Sequence, residues 1–215
     1  MYHVVNLPEV GAEVDVNMHW LLALLKKNHV ALTKSLVFNR RIKYLTETYE
    51  MLDEELREQG HDGDEGDDRS RIFEMYHLKT DDDVKNNVLC RFNNEGGNLR
   101  LVLCSTSFSM GLDVPDVGNV FHYGPPNDTD DFLQETGRAG RNGEESHSVI
   151  LMHKCALCGA YTTTLMKEYV RTKLCRRKVL LSAYMEAHSS RKPGHMCCDN
   201  CASICDCGDC PTSST

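Results

Sequence analysis

The 215-residue sequence predicts an α/β fold: a parallel sheet with helices on both faces, followed by a small helical, cysteine-rich segment. Three observations predict it. Strand-length segments recur at residues 34–38, 71–77, 99–104 and 117–123. Segments with the apolar spacing of helices lie between them. Such alternation implies right-handed crossovers, and hence a parallel sheet covered on both sides. Nine of the 11 cysteines fall after residue 152, so the C-terminal quarter has a different chemistry.

Each element has its own signal. Residues 18–26 space their apolar side chains helically, and residues 34–38 form a short buried strand. Residues 40–58 are an amphipathic helix, and residues 71–77 the next strand. Thr80 followed by Asp81, Asp82 and Asp83 marks a helix start, with a capping hydroxyl and acids in the positive first turn. That helix runs to about Asn93, before Gly96 and Gly97 break it. A buried strand at 99–104, a hydroxyl-rich loop, a carboxylate at Asp113 and a strand at 117–123 follow.

The net charge of −8 argues against a simple nucleic-acid-binding protein, which is usually basic. Its distribution changes that conclusion. Between Asp53 and Asp68 there are nine acids and one arginine. Removing them from the totals of 32 acidic and 24 basic residues leaves 23 of each. The excess is one local tract centred on residues 59–70, which reads as a solvated acidic loop away from any nucleic acid. Residues 165–192, in contrast, hold eight basic residues against Glu168 and Glu186. This basic helical region could neutralise phosphates, or could simply be a solvated helix face.

No apolar stretch approaches the length of a membrane span, and no secretory signal opens the chain. The cysteines are therefore expected in a reduced, intracellular setting. Cys90, Cys104, Cys155 and Cys158 read as buried small residues or redox thiols, although Cys155 and Cys158 also have the spacing of metal ligands without a matching second pair nearby. Cys205, Cys207 and Cys210 read as spare ligands, a second loose site or tail residues.

Residues 134–143 (Gln-Glu-Thr-Gly-Arg-Ala-Gly-Arg-Asn-Gly) carry the sharpest chemistry. Arg138 and Arg141 lie three residues apart in a glycine-punctuated turn. Two permanently charged guanidinium forks at this spacing suit the oxygens of one nucleotide triphosphate, where they stabilise charge developing at the γ-phosphate.

Together with residues 108–116 (Phe-Ser-Met-Gly-Leu-Asp-Val-Pro-Asp) and 122–126 (His-Tyr-Gly-Pro-Pro), that run resembles motifs V and VI of superfamily 2 helicases, most closely the RecQ family of DNA helicases. Residues 175–181 (Cys-Arg-Arg-Lys-Val-Leu-Leu) and 195–201 (His-Met-Cys-Cys-Asp-Asn-Cys) resemble the zinc-binding segment that follows the RecQ motor. The resemblance implies a RecA-like domain at 15–152 with the acidic loop 59–70, an N-terminal extension at 1–14, a zinc-binding subdomain at 153–205 and a tail at 206–215.

The resemblance also implies roles. Arg138 and Arg141 would contact the γ-phosphate of ATP, and Gln134 would link nucleotide to DNA. Asp113 and Gly111 would couple hydrolysis to translocation, while Ser105 and Thr106 would approach the DNA backbone. Arg176, Arg177 and Lys178 form the basic stretch expected on DNA phosphates. Cys175, Cys198 and Cys201 would hold Zn²⁺, with the fourth ligand on His195, favoured by register, or on Cys197. Two departures stand out: Ser109 replaces the usual glycine before Met-Gly, and Cys104-Ser105 replaces Ala-Thr.

No Gly-x-x-x-x-Gly-Lys-Ser/Thr and no Asp-Glu-x-His or Asp-Glu-Ala-Asp run occurs in the sequence. The resemblance thus covers about residues 20–210, the C-terminal half of a minimal motor. ATP and Mg²⁺ are expected only with a first motor lobe, a possible separate partner, and the chain alone is expected to be catalytically inert. Two classes of function remain: part of an ATP-dependent 3′–5′ DNA helicase acting in the nucleus on single-stranded or 3′-tailed DNA, or a non-catalytic zinc-containing nucleic-acid-binding or regulatory protein derived from one. A membrane role is not expected.

Overall fold

A computed structural model describes residues 1–8, 14–63, 67–105, 116–158, 161–184 and 194–207. Six strands form one sheet: β1 (Tyr2–Asn6), β2 (Ser35–Phe38), β3 (Phe73–Tyr76), β4 (Leu101–Cys104), β5 (Asn119–Tyr123) and β6 (His147–Met152). Their spatial order is β1-β6-β5-β2-β4-β3, and every pairing is parallel. The helices are α1 (Val14–Asn28), α2 (Ile42–Leu56), α3 (Asp82–Asn93), α4 (Thr129–Thr136), α5 (Thr164–Arg171), α6 (Arg176–Leu181) and α7 (Asp199–Ala202). The fold is the RecA-like α/β arrangement that the sequence predicts.

The two-residue period of the strands explains how one sheet serves two cores. Val37, Leu101 and Leu103 pack with Leu21, Leu25, Leu45 and Leu52 of α1 and α2. The alternate residues Leu36, Phe38, Val102 and Cys104 pack with Val88 and Phe92 of α3. All four residues of β2 and of β4 are buried, as a strand covered on both faces requires. Each buried leucine contributes roughly 1.5–3 kcal/mol. A third cluster joins Phe132 of α4 and Ile150 of β6 to Met166, Tyr169, Val179 and Leu180 of α5 and α6. The segment after the sheet therefore shares a core with it.

Three local expectations need correction. Residues 1–14, read as an extension, contain β1, which pairs with β6 from Tyr2↔Ser148 to Asn6↔Met152. Thr80 does not cap α3. The N-cap is Asp81, without a side-chain cap bond, and the Thr80 hydroxyl accepts from the His77 N–H at 3.0 Å. Asp82 and Asp83 do occupy the first turn, where they complement the helix dipole.

The acidic tract is not wholly solvated. Asp62, Gly63 and Asp67 are exposed, but His61 is buried, its Nδ1 lying 2.6 Å from Ser70 Oγ. Asp62 N–H donates to Ser70 C=O at 2.7 Å, and Ile72 N–H to Gly60 C=O at 2.9 Å. The loop is thus tied at its base. Among the described residues no helix is long and apolar enough to cross a membrane.

Candidate functional site

The glycine-rich turn is held from below by β5 and α4. At the start of α4 the Asp128 carboxylate accepts the Asp131 N–H at 2.8 Å, a side-chain cap, and Asp130 and Asp131 add charge to the first turn. Burial, with Asp128 and Glu135 nearby, pushes the Asp131 carboxyl above its usual range. Phe132, Glu135 and Thr136 form the buried face, whereas Gln134 is exposed.

Glu135 meets His122 of β5 at 2.8 Å, with both side chains only 2% exposed. A polar pair this deep is costly unless satisfied, so it locks α4 to the end of β5 in one register. The His122 ring stacks on Phe38 at 5.3 Å. A small crevice beyond the carboxyl ends of β2 and β5 is lined by Asn39, Arg40, His122, Gly124 and Glu135.

After α4 the chain turns tightly. Gly140 (φ +70°) and Gly143 (φ +82°) adopt the left-handed region that favours glycine, and Gly143 N–H donates to Gly140 C=O at 3.1 Å. Gly140 N–H also donates to Val117 C=O at 3.0 Å, anchoring the turn beside β5. A Cβ at Gly140 would lie 2.6 Å from Ser146 Oγ and 3.2 Å from Glu144 C=O, whereas one at Gly143 would meet nothing within 4 Å. Gly140→Ala is therefore expected to cost more than Gly143→Ala, whose penalty is backbone strain alone, about 1–2 kcal/mol. Urea melts of the two variants check this order; equal losses would contradict it.

The turn treats its two arginines differently. Arg141 is exposed, with Nε donating to Gly137 C=O at 3.1 Å, while Arg138 is only 7% exposed. Ser105 follows β4 at the same sheet end, its N–H donating to Tyr76 C=O at 3.2 Å. Thr106, Ser109, Gly111 and Asp113 lie outside the described residues.

A second cluster gathers thiols. The Sγ atoms of Cys175, Cys197, Cys198 and Cys201 all lie within 4.8 Å of one another, and Cys175 and Cys197 are 3.6 Å apart. A tetrahedral zinc site with Zn–S of about 2.3 Å places sulfurs about 3.8 Å apart, so the spacing fits one metal ion and not a disulfide. Four soft donors of this kind could hold such an ion. Arg176 N–H lies 3.4 Å from Cys198 Sγ, a donor suited to a thiolate. Burial and the Cys175 thiol push Cys197 up to about 12, and burial with the thiols of Cys198 and Cys175 raises Cys201 too. Thiols this crowded stay protonated unless a cation among them favours the thiolate form.

This geometry corrects the preference for His195. The turn closed by Cys197 N–H to Gly194 C=O at 3.0 Å separates neighbouring side chains, so that Cys197 joins the other three thiols. The His195 Nδ1 instead lies 3.6 Å from Cys205 Sγ and 3.1 Å from Cys207 Sγ. Cys210 lies outside the described residues. Cys104 is buried and its thiol is pushed well up by burial, whereas Cys90, Cys155 and Cys158 are exposed.

Arg176 is a second correction. Its guanidinium is buried, with Nε donating to Asp199 Oδ1 at 2.6 Å and Nη1 to Tyr169 C=O at 2.8 Å, so it cannot reach a phosphate. Arg177 and Lys178 remain exposed. Asp199 also accepts the Val4 N–H at 3.1 Å, and Tyr2 N–H donates to Cys197 C=O at 3.2 Å, so β1 supports the thiol cluster. The Arg176–Asp199 pair and the His122–Glu135 pair had no sequence signal, because each joins residues from separate elements.

The profile of the helicase conserved C-terminal domain matches residues 17–143, more than half of the chain. A protein of Acanthamoeba polyphaga mimivirus named as an ATP-dependent RNA helicase, R290, is 30% identical over 150 residues, covering 60% of this chain and 26% of that protein. RecQ-like DNA helicase blm-1 of Caenorhabditis elegans is 30% identical over 153 residues, covering 62% of this chain and 15% of that protein. The chain thus spans about a quarter or less of the length of these relatives. The solved structure of Mycobacterium smegmatis helicase Lhr, bound to ssDNA and AMP-PNP, shares the fold with a TM-score of 0.56 at 22% identity, over 79% of this chain and 21% of that one. The glycine turn and its two arginines lie inside the matched region, the thiol cluster beyond it, and the chain belongs to the helicase conserved C-terminal domain family, with RecQ-type helicases among its relatives.

Proposed function

We propose that the chain is the second motor lobe and zinc module of a RecQ-type, ATP-dependent 3′–5′ DNA helicase. The observation that carries this reading is the exposed Arg141 on a glycine turn at the family-matched end of the sheet, with a four-thiol cluster packed onto the same core. In this reading Arg141 and Arg138 serve the γ-phosphate of an ATP held by a first motor lobe, and Gln134 stands on the exposed face beside them. Cys175, Cys197, Cys198 and Cys201 hold a structural Zn²⁺, which supplies no chemistry to hydrolysis but fixes α6 and α7. The same reading proposes a reducing, nuclear setting for the chain.

The test joins the chain to the first lobe of a RecQ-type relative and measures unwinding of a 3′-tailed duplex. ATP-dependent unwinding supports the reading. Single-stranded DNA binding without ATP turnover would replace it with the non-catalytic one, and preferential unwinding of RNA would overturn the choice of substrate.

The exposed pair Arg177 and Lys178 provides a further expected result. In Arg177→Gln/Lys178→Gln the logarithmic salt slope of single-stranded DNA binding should shrink by about 0.7 for each phosphate no longer neutralised. An unchanged slope would remove α6 from the DNA surface.

A further inference from the structure

We propose that His195, Cys205 and Cys207 form a second, solvent-open site for a soft divalent metal, Zn²⁺ in the first instance, separate from the four-thiol centre. The donor atoms of all three lie within 4.8 Å of one another. Zn–S of about 2.3 Å and Zn–N of about 2.0–2.1 Å at tetrahedral angles place sulfur and nitrogen about 3.6 Å apart. The observed separations from His195 Nδ1 are 3.6 Å to Cys205 and 3.1 Å to Cys207.

A neutral imidazole Nδ1 offers one proton or one lone pair, so by hydrogen bonding it engages one thiol at a time. A cation at the centroid engages all three. On binding, Zn²⁺ displaces the thiol protons of Cys205 and Cys207 to solvent and takes the Nδ1 lone pair, the ring proton staying on Nε2.

The two donor sets are nested in the chain. His195 precedes Cys197 and Cys198, whereas Cys205 and Cys207 follow Cys201, so residues 195–207 would carry ligands of both centres. Loading the second site closes the segment after α7 back onto the turn before it. The burial differs as well. Cys198 and Cys201 are buried, while His195 and Cys205 are half-buried and Cys207 is exposed. Among the described residues three protein donors meet here and leave the fourth tetrahedral position to water, the arrangement of an exchangeable site and not of a closed structural one. The second metal should therefore leave first under a chelator.

The test counts metal. The full chain, purified under reducing conditions and loaded with Zn²⁺, is expected to hold two zinc ions by elemental analysis. Cys205→Ser/Cys207→Ser should hold one, and Cys198→Ser should lose the other, which separates failure of this site from failure of the four-thiol centre. With Co²⁺ in place of Zn²⁺, the metal lost in Cys205→Ser/Cys207→Ser should contribute about half the sulfur-to-metal charge-transfer intensity of the one retained, because it has two thiolates and not four. A wild-type chain holding one metal or none, or a Cys205→Ser/Cys207→Ser chain still holding two, overturns the proposal. Should that double variant lose both metals, the single change His195→Gln decides: one metal retained supports the site, two retained overturns it.

Discussion

Phe132→Ala is expected to destabilise the chain by about 3–5 kcal/mol, the cost of emptying a fully buried aromatic position. The ring is 0% exposed and sits where three parts of the molecule meet. It lies 6.0 Å from Tyr2 of β1, 5.2 Å from His122 of β5 and 5.0 Å from Tyr169 of α5. Its removal therefore loosens the seam between sheet and thiol-bearing helices, besides opening a cavity. A thermal melt should fall by roughly 10 °C for a chain of this size. Phe132→Leu, which keeps most of the apolar volume, should recover much of that loss. A melt shifted by less than about 2 °C in the alanine variant, below the shift that 1 kcal/mol produces at this size, would show that the two parts do not depend on this joint.

The largest functional effect is expected at Arg141. In a motor completed by a first lobe, Arg141→Ala should lower ATP turnover by about 10³–10⁵-fold, the range for removing an arginine finger. Stability should stay within about 0.5 kcal/mol of the parent, since the side chain is exposed and its Nε bonds to a turn carbonyl. Arg138→Ala, at a 7% exposed side chain, should lose turnover and stability together. The contrast separates a residue that acts on the nucleotide from one that also holds the turn. Turnover retained within about tenfold in Arg141→Ala would remove it from the phosphate site.

These variants fall on features that differ in how far the sequence announces them. The strands at 34–38 and 99–104 are legible because a strand buried on both faces is largely apolar, as residues 36–38 and 101–104 are. The glycine turn is legible because residues with positive φ are usually glycines, and Gly140 and Gly143 both adopt it. Thr80 misleads, since Ser and Thr hydroxyls compete for several local partners, and here the His77 N–H won.

Other features carry no local signal. Tyr2–Asn6 is a short mixed segment, and it becomes a strand only because β6 offers an unpaired edge five residues long. His195 has the better register for the four-thiol centre, but spacing along the chain does not state direction. The turn at 194–197 sends its imidazole toward Cys205 and Cys207 instead. Arg176 carries the same charge as Arg177, and only the fold shows that one is buried against Asp199 while the other faces solvent.

The amino-acid sequence by itself determined the α/β class, the order of the elements from α1 to β5, the arginine turn and the wealth of thiols in the C-terminal segment, because each depends on residue type and local period. Tertiary structure alone decided which thiols converge, which arginine is exposed and which polar pairs lock α4 and α6 in place. Those outcomes depend on contacts such as His122–Glu135 and Arg176–Asp199, between residues 13 and 23 positions apart, whose meeting is set by sheet order and helix packing and not by any neighbouring residue.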